Sequence, residues 1–205
     1  MKIYFVTGNE NKRKEVERLI GGSGVEILAR AADVPEFQGN SRYITTEKCR
    51  WAFEHLRDSI EAGSYVMTED TSLGFDAMGG LPGPYIRWFL EELGNEGLTK
   101  MLVGFEDKGA EAKTTMCLMN GCDEPLVVEG VCHGQIVEPR GPRTFGWDAN
   151  FQPDIQADSD NKKTYAEMSV DEKGRISHRG NAMQALKVSL LHTRDCTLAI
   201  LFCLV

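Results

Sequence analysis

Thr68-Glu69-Asp70-Thr71-Ser72, running through Phe75-Asp76-Ala77-Met78 into Gly79-Gly80-Leu81-Pro82-Gly83-Pro84-Tyr85-Ile86-Arg87-Trp88, is the stretch from which the rest of the chain is read. Ahead of it, Tyr65-Val66-Met67 is a short apolar run with strand character, so two adjacent carboxylates are expected at a strand end. Behind it, three glycines and two prolines in six residues specify the backbone too tightly for a plain connector. Paired carboxylates beside a stiff loop suit a hard cation such as magnesium and its water. The plain alternative is a solvated turn with an incidental acidic pair. The glycine-proline loop is read as a rigid support that starts a helix carrying Arg87 towards a cleft.

Around this stretch, the 205 residues are most simply one α/β domain, or one with a smaller lobe; 41% are hydrophobic and 26% charged, enough for a real core. A net charge of −8 argues against general binding of nucleic acid or anionic membrane, but a few focused cations can still hold a polyphosphate. Cys49, Cys117, Cys122, Cys132, Cys196 and Cys203 form no C-x-x-C pair or zinc-type spacing and are expected as buried thiols in a reducing cytosol. Ile3-Tyr4-Phe5-Val6 is too short for a signal sequence, and Thr197–Val205 is too short to span a bilayer; a buried last strand is expected there.

Lys2 to Val6 reads as a buried strand running into Thr7-Gly8-Asn9-Glu10-Asn11-Lys12 and then a helix with Val16, Leu19 and Ile20 inside, ended by Gly21-Gly22-Ser23-Gly24. Strand, polar glycine turn and helix start form an anion site, with free N–H groups at the positive dipole end. The spacing is neither a Walker A loop nor G-x-G-x-x-G. Val25 to Ala29 is a second strand, and the loop Asp33 to Asn40 offers Glu36 as a further cation ligand. From Thr45 to Ala62 the apolar residues follow helical spacing, with Lys48 in the first turn, where only a nearby anion favours a cation. Pro84 to Leu93 and Glu96 to Phe105 look helical with Trp88, Phe89, Leu93, Leu98, Met101 and Leu102 as core; Lys113 to Asn120 and Leu126 to Val137 look like strands joined by an Asn120-Gly121 turn. Arg143 to Asp154 has no helical or strand period but packs Phe145, Trp147 and Asp148 around Gly146, either as core anchors or as a wall for a heterocycle. Ser169 and Glu172 form a capping box, beyond which come Lys173, then Ser177-His178-Arg179, then Met183, Leu186 and Leu190.

Six of these segments, in this order, are shared with a known family. They are Thr7-Gly8-Asn9-x-x-Lys12; Pro35-Glu36-x-Gln38-Gly39; Glu69-Asp70-Thr71 with Gly79 to Ile86; Phe145-Gly146-Trp147-Asp148-x-x-Phe151; Thr164-Tyr165-Ala166-Glu167-Met168; and Ser177-His178-Arg179. Over Ile3 to about Leu190 the chain resembles the Ham1-like inosine triphosphate pyrophosphatase family.

The resemblance implies an elongated α/β fold, a long mixed central β-sheet with flanking helices forming two lobes around a nucleotide cleft. It implies magnesium-dependent hydrolysis of 6-keto purine triphosphates (ITP, dITP, XTP) to the monophosphate and pyrophosphate, with manganese as a substitute metal. A cytoplasmic homodimer without nucleic-acid or membrane partners is implied too. Carried over by position, phosphate contacts fall on Thr7, Gly8, Asn9, Glu10, Asn11, Lys12, Lys48, Thr71, Arg87 and Lys173. Metal ligands fall on Glu36 and Asp70, and the base pocket on Phe145, Gly146, Trp147 and Asp148, with His178 and Arg179 at the purine edge. Asp70, Glu69 and Lys12 are the expected catalytic residues, Asp70 orienting the water and Glu69 competing as general base. Arg87 stands where the family commonly has lysine, Ala149 where it has proline, and Ile155 where it has glycine.

Overall fold

The computed structural model describes residues 1–20, 24–156, 158 and 160–202, with side chains to 191. Lys2–Val6 (β1) pairs in parallel with Glu26–Arg30 (β2) and with the start of Tyr65–Phe75 (β3). Gly109–Met119 (β5), Leu126–Ile136 (β6) and Phe151–Pro153 (β7) continue the sheet antiparallel, in the order β2-β1-β3-β5-β6-β7. Pro82–Gly83 (β4) folds back onto Leu73 and Gly74 of β3. This is an open mixed sheet with helices on it: Glu10–Ile20 (α1), Ser41–Leu56 (α2), Ile86–Lys100 (α3), Val170–Ile176 (α4) and His178–Phe202 (α5).

Three strands of eleven residues, β3, β5 and β6, are long enough to carry a separate core at each end. At one end Ile3, Phe5, Met67 and Met116 pack against Val16 and Ile20 of α1 and Ala182, Met183 and Leu186 of α5. On the other face of that end, Val6 and Val66 meet Ala52 of α2. At the far end Leu73, Phe75, Ala110 and Ile136 pack with Leu98, Leu102, Trp147, Phe151 and Tyr165. At Gly130 of β6, a Cβ would lie 2.0 Å from Ala182 N and 2.2 Å from His178 O, so a bare glycine lets the first turns of α5 lie on the sheet.

β1 pairs with β3 only as far as Met67, and β4 takes over at Leu73. Between these partners the edge of β3 from Thr68 to Ser72 is open, so side chains of both strand faces reach one cleft. The expected strand end is therefore a strand middle: Glu69 and Asp70 lie inside β3. What ends is the neighbouring strand.

Other expectations shift similarly. α2 begins four residues early because Asn40 Oδ1 accepts the Tyr43 N–H, which puts Lys48 in mid-helix rather than in the first turn. The two helices expected after Pro84 are present within Ile86–Lys100, separated at Gly94, whose backbone is not helical (φ 66°, ψ −178°). Leu98 and Leu102 are buried there, but Trp88, Phe89 and Leu93 are exposed, not core. The expected capping box of Ser169 with Glu172 is present, and the structure adds a second, Thr164 with Glu167. The strand expected over Thr197–Val205 is helical to Phe202, and 203–205 lie outside the described residues, as do 21–23 of the expected glycine stop. Cys49, Cys117 and Cys132 are buried free thiols, whereas Cys122 is exposed. Among the described residues, no helix is long and apolar enough to cross a membrane.

Candidate active site

The open edge of β3 floors a cleft of about 770 Å³, walled by the 7–12 loop, Asp33 to Glu36, Lys48, the start of α3, Phe145 to Asp148, and His178 and Arg179. Of the residues expected from the sequence to bind substrate or metal, all but Lys173 line it. Lys173 sits behind the wall, its ammonium 2.6 Å from Asp148 and 2.9 Å from Glu15 and over the Phe145 ring at 4.3 Å.

The phosphate loop is more occupied than expected. Asn9 Oδ1 accepts the N–H groups of Asn11 (3.0 Å) and Lys12 (3.1 Å), capping α1, so these two donors are not free. Glu10 pairs with Arg13, and its carboxylate is not presented to the cleft alone. A Cβ at Gly8 would meet nothing within 4 Å. Cationic reach into the cleft therefore comes mainly from Lys12, Lys48 and Arg87, with the dipole end of α1 behind them.

Glu69 and Asp70 point to opposite faces of β3. Glu69 faces α1 and α5, where Arg179 donates Nε to Oε2 (3.0 Å) and Nη2 to Oε1 (2.7 Å), Thr71 donates to Oε1 (2.9 Å), and Lys12 lies 3.3 Å away. Burial opposes its ionisation, but Arg179 and Lys12 outweigh burial and hold the carboxyl well below the usual range. A carboxylate so saturated is a poor proton acceptor; its geometry is that of Arg179's anchor. Arg179 itself is fully buried, with Glu15 as a further partner through Nη1 and Thr71 at 3.2 Å.

Asp70 faces α2. Its Oδ1 is 3.4 Å from Lys48 Nζ, and its Oδ2 is buried with no hydrogen-bond partner. Burial raises its pKa against the pull of Lys12 and Lys48. Lys48 also lies 2.8 Å from Glu36 Oε2, while Arg87 Nη1 takes Glu36 Oε1 at 3.0 Å. Tyr85 ties down the Glu36 loop by accepting the Gly39 N–H at 3.0 Å.

On the far wall, Trp147 is a core anchor, 5.6 Å edge-on from Phe151 and 5.2 Å from His178. Phe145 is half-buried and keeps part of its ring for the cleft. Burial lowers the His178 pKa well below the usual value, helped by the charges of Arg179 and Lys173, and Nδ1 has no partner. Asp148 is pushed up by burial despite Lys173.

Two contributors escaped the sequence reading. Glu15 joins Arg179 to Lys173, and its signal was an acidic residue three after Lys12 on the inner side of α1. Trp88, assigned to the core by period, stands at the cleft rim with the Arg87 guanidinium 4.9 Å over its ring.

An orphaned, buried carboxylate oxygen is a place for a cation. Glu36 and Asp70 both reach the Lys48 ammonium beside it, and among the described residues no group of three or more His, Cys, Asp or Glu surrounds one point. Two carboxylates and open cleft suit magnesium, which keeps most of its waters, better than zinc or calcium.

The Ham1 family model matches residues 3–189. The inosine triphosphate pyrophosphatase of Emericella nidulans is 48% identical over 186 residues, covering 90% of this chain and 94% of its own. Among solved structures, the Ham1 protein of Staphylococcus aureus superposes with a TM-score of 0.76 at 24% identity, over 94% of this chain and 100% of its own. A nucleoside-triphosphatase, dITP/XTP pyrophosphatase, of Mycobacterium abscessus does so with a TM-score of 0.65 at 28% identity, over 91% and 98%.

Proposed function

The chain belongs to the Ham1 family, and we propose from this premise that it hydrolyses ITP, dITP and XTP to the nucleoside monophosphate and pyrophosphate. The single observation that carries the reading is the open edge of β3. It sets the buried carboxylate of Asp70, paired only with Lys48 and with one oxygen unpartnered, among lysines that a triphosphate would neutralise.

Water attacks the α-phosphorus, the bond to the bridging oxygen breaks, and pyrophosphate leaves with that oxygen. No protein nucleophile is needed; positioning and charge neutralisation suffice. Lys12 and Lys48 hold the phosphate chain, with Thr7 and Gly8 giving it close access and Arg87 at its outer end. Asp70 orients the water and receives the proton, while Glu69 fixes Arg179 and is not the base. Glu36 and Asp70 would hold magnesium, which when bound supplies charge neutralisation and a more acidic water.

The base lies against Phe145, with the purine edge towards His178 and Arg179. Arg179 has most of its N–H groups engaged, so O6 recognition falls on its remaining Nη1 donor and on neutral His178. Adenine, with an amino donor at that edge, would leave these groups unsatisfied. A two-lobed homodimer in the cytosol completes the reading and is checked by light scattering.

The test is pyrophosphate release from ITP, XTP, ATP, GTP, dUTP and UTP, with magnesium and with EDTA. ITP and XTP should lead by at least tenfold. Preference for ATP or UTP, or no release from any of them, would sink the proposal.

A further inference from the structure

The ammonium of Lys48 bridges the two carboxylates that the proposed function gives to a divalent cation, 2.8 Å from Glu36 Oε2 and 3.4 Å from Asp70 Oδ1. Its side chain is only 16% exposed and comes from mid-α2, so the contact is built in rather than a surface encounter. We propose that Lys48 is an internal placeholder cation, which blocks metal binding in the empty cleft and is released to the phosphates only when a nucleotide arrives. The inference rests on the proposed function but is separable from it.

Charge counting supports the block. Around the Lys48 ammonium, the two negative charges of Glu36 and Asp70 meet two positive ones, Lys48 and Arg87, the latter shared with Glu91. Lys12 adds a further positive influence on Asp70, and Glu69 a negative one that Arg179 already engages. The resting site is thus close to neutral and offers a dication little attraction. Two cations cannot share one bridging position without strong repulsion. Expelling Lys48 into solvent would strip the buried Asp70 of its hydrogen-bonded partner, whereas a triphosphate offers Lys48 a new partner as it leaves. Metal and nucleotide binding are then coupled in both directions, as linkage requires.

The experiment is Mn2+ binding to nucleotide-free protein at pH 8, followed by calorimetry and by loss of the free-ion electron paramagnetic resonance signal. Wild type should bind in the millimolar range or weaker. Lys48→Met should bind at least tenfold more tightly, Lys48→Arg should stay weak, and Glu36→Gln in the Lys48→Met background should lose the gain. Lys48→Gln serves as a second neutral variant if Lys48→Met is not folded by circular dichroism. Unchanged or weaker Mn2+ affinity in a folded neutral variant overturns the placeholder role, as does tight binding by wild type. Wild-type turnover of ITP in the same preparation separates the two readings: with turnover intact, such a result removes the placeholder alone. Without turnover on any triphosphate, the parent reading fails by its own test.

Discussion

Arg179 grips Glu69 through two parallel hydrogen bonds, Nε to Oε2 at 3.0 Å and Nη2 to Oε1 at 2.7 Å, beneath the cleft floor. Both side chains are at most 2% exposed, so water cannot replace either partner. Their pairing explains why adjacent carboxylates on one strand have different fates: Glu69 is consumed by structure and Asp70 is left for chemistry.

Removing one partner should therefore cost more than removing both. Glu69→Gln or Arg179→Met should each lose about 3–5 kcal/mol, because a buried charge is left uncompensated. The double variant Glu69→Leu/Arg179→Met should be at least about 2 kcal/mol more stable than the sum of the single losses. Urea unfolding of the four proteins measures the coupling. Because the folded Glu69 carboxyl is held below its unfolded value, its stabilisation is complete above a pH of about 4.3. It is lost as pH falls towards the folded value. The gap between wild type and Glu69→Gln should be constant from about pH 8 to 5 and narrow below about pH 4. A gap insensitive to acid would mean the pair is not ionic.

Asp70→Asn should behave in the opposite way. Turnover should fall by about 10²–10⁴-fold, the usual worth of a positioned proton acceptor. Stability at pH 8 should stay level or rise, because burial raises the folded pKa and the ionised form costs stability above it. That gain should vanish as pH falls below the unfolded carboxyl value, where Asp70 is neutral in both states. Pyrophosphate release and thermal unfolding on one preparation test both halves; a large drop in stability would make Asp70 a structural residue.

Gly130 shows how the core sets the site. A Cβ there would strike the backbone at Ala182 N and His178 O, and backbone cannot swing aside as a flexible side chain does. Gly130→Ala should cost about 1–3 kcal/mol by overpacking and should slow ITP turnover by shifting the turn that carries His178 and Arg179. A variant as stable and active as wild type would show that α5 docks less tightly on β6.

What the sequence made legible was local. The β1 turn, Asn120-Gly121 and the Ser169–Glu172 box depend on near neighbours, and they formed where spacing placed them. Glu69 and Asp70 were legible as a site but not as a strand middle, because only the early end of β1 pairing opens that edge. The partnership of Glu15 with Arg179 spans 164 residues, and that of Lys48 with Asp70 spans 22. No period within either helix encodes such contacts. Trp88 was misplaced for a related reason: helical spacing identifies a face, but not whether that face meets a core or a cleft.

His178 supplies a test from pH alone. Burial, seconded by Arg179 and Lys173, lowers its folded pKa, so below a pH of about 6.5 the unfolded chain takes up a proton that the folded chain refuses. Stability should then fall with acidity by up to about 1.4 kcal/mol per pH unit from this residue. His178→Phe should flatten that slope between about pH 6.5 and 5, where the carboxylates contribute less. If the His178 ring signals stay fixed from about pH 8 to 6 in an NMR titration, the imidazole at the purine edge is neutral throughout that range. It can then donate to a 6-keto oxygen without adding charge to a wall that already carries Arg179. A ring that titrates within that range would place His178 in water and remove it from base recognition.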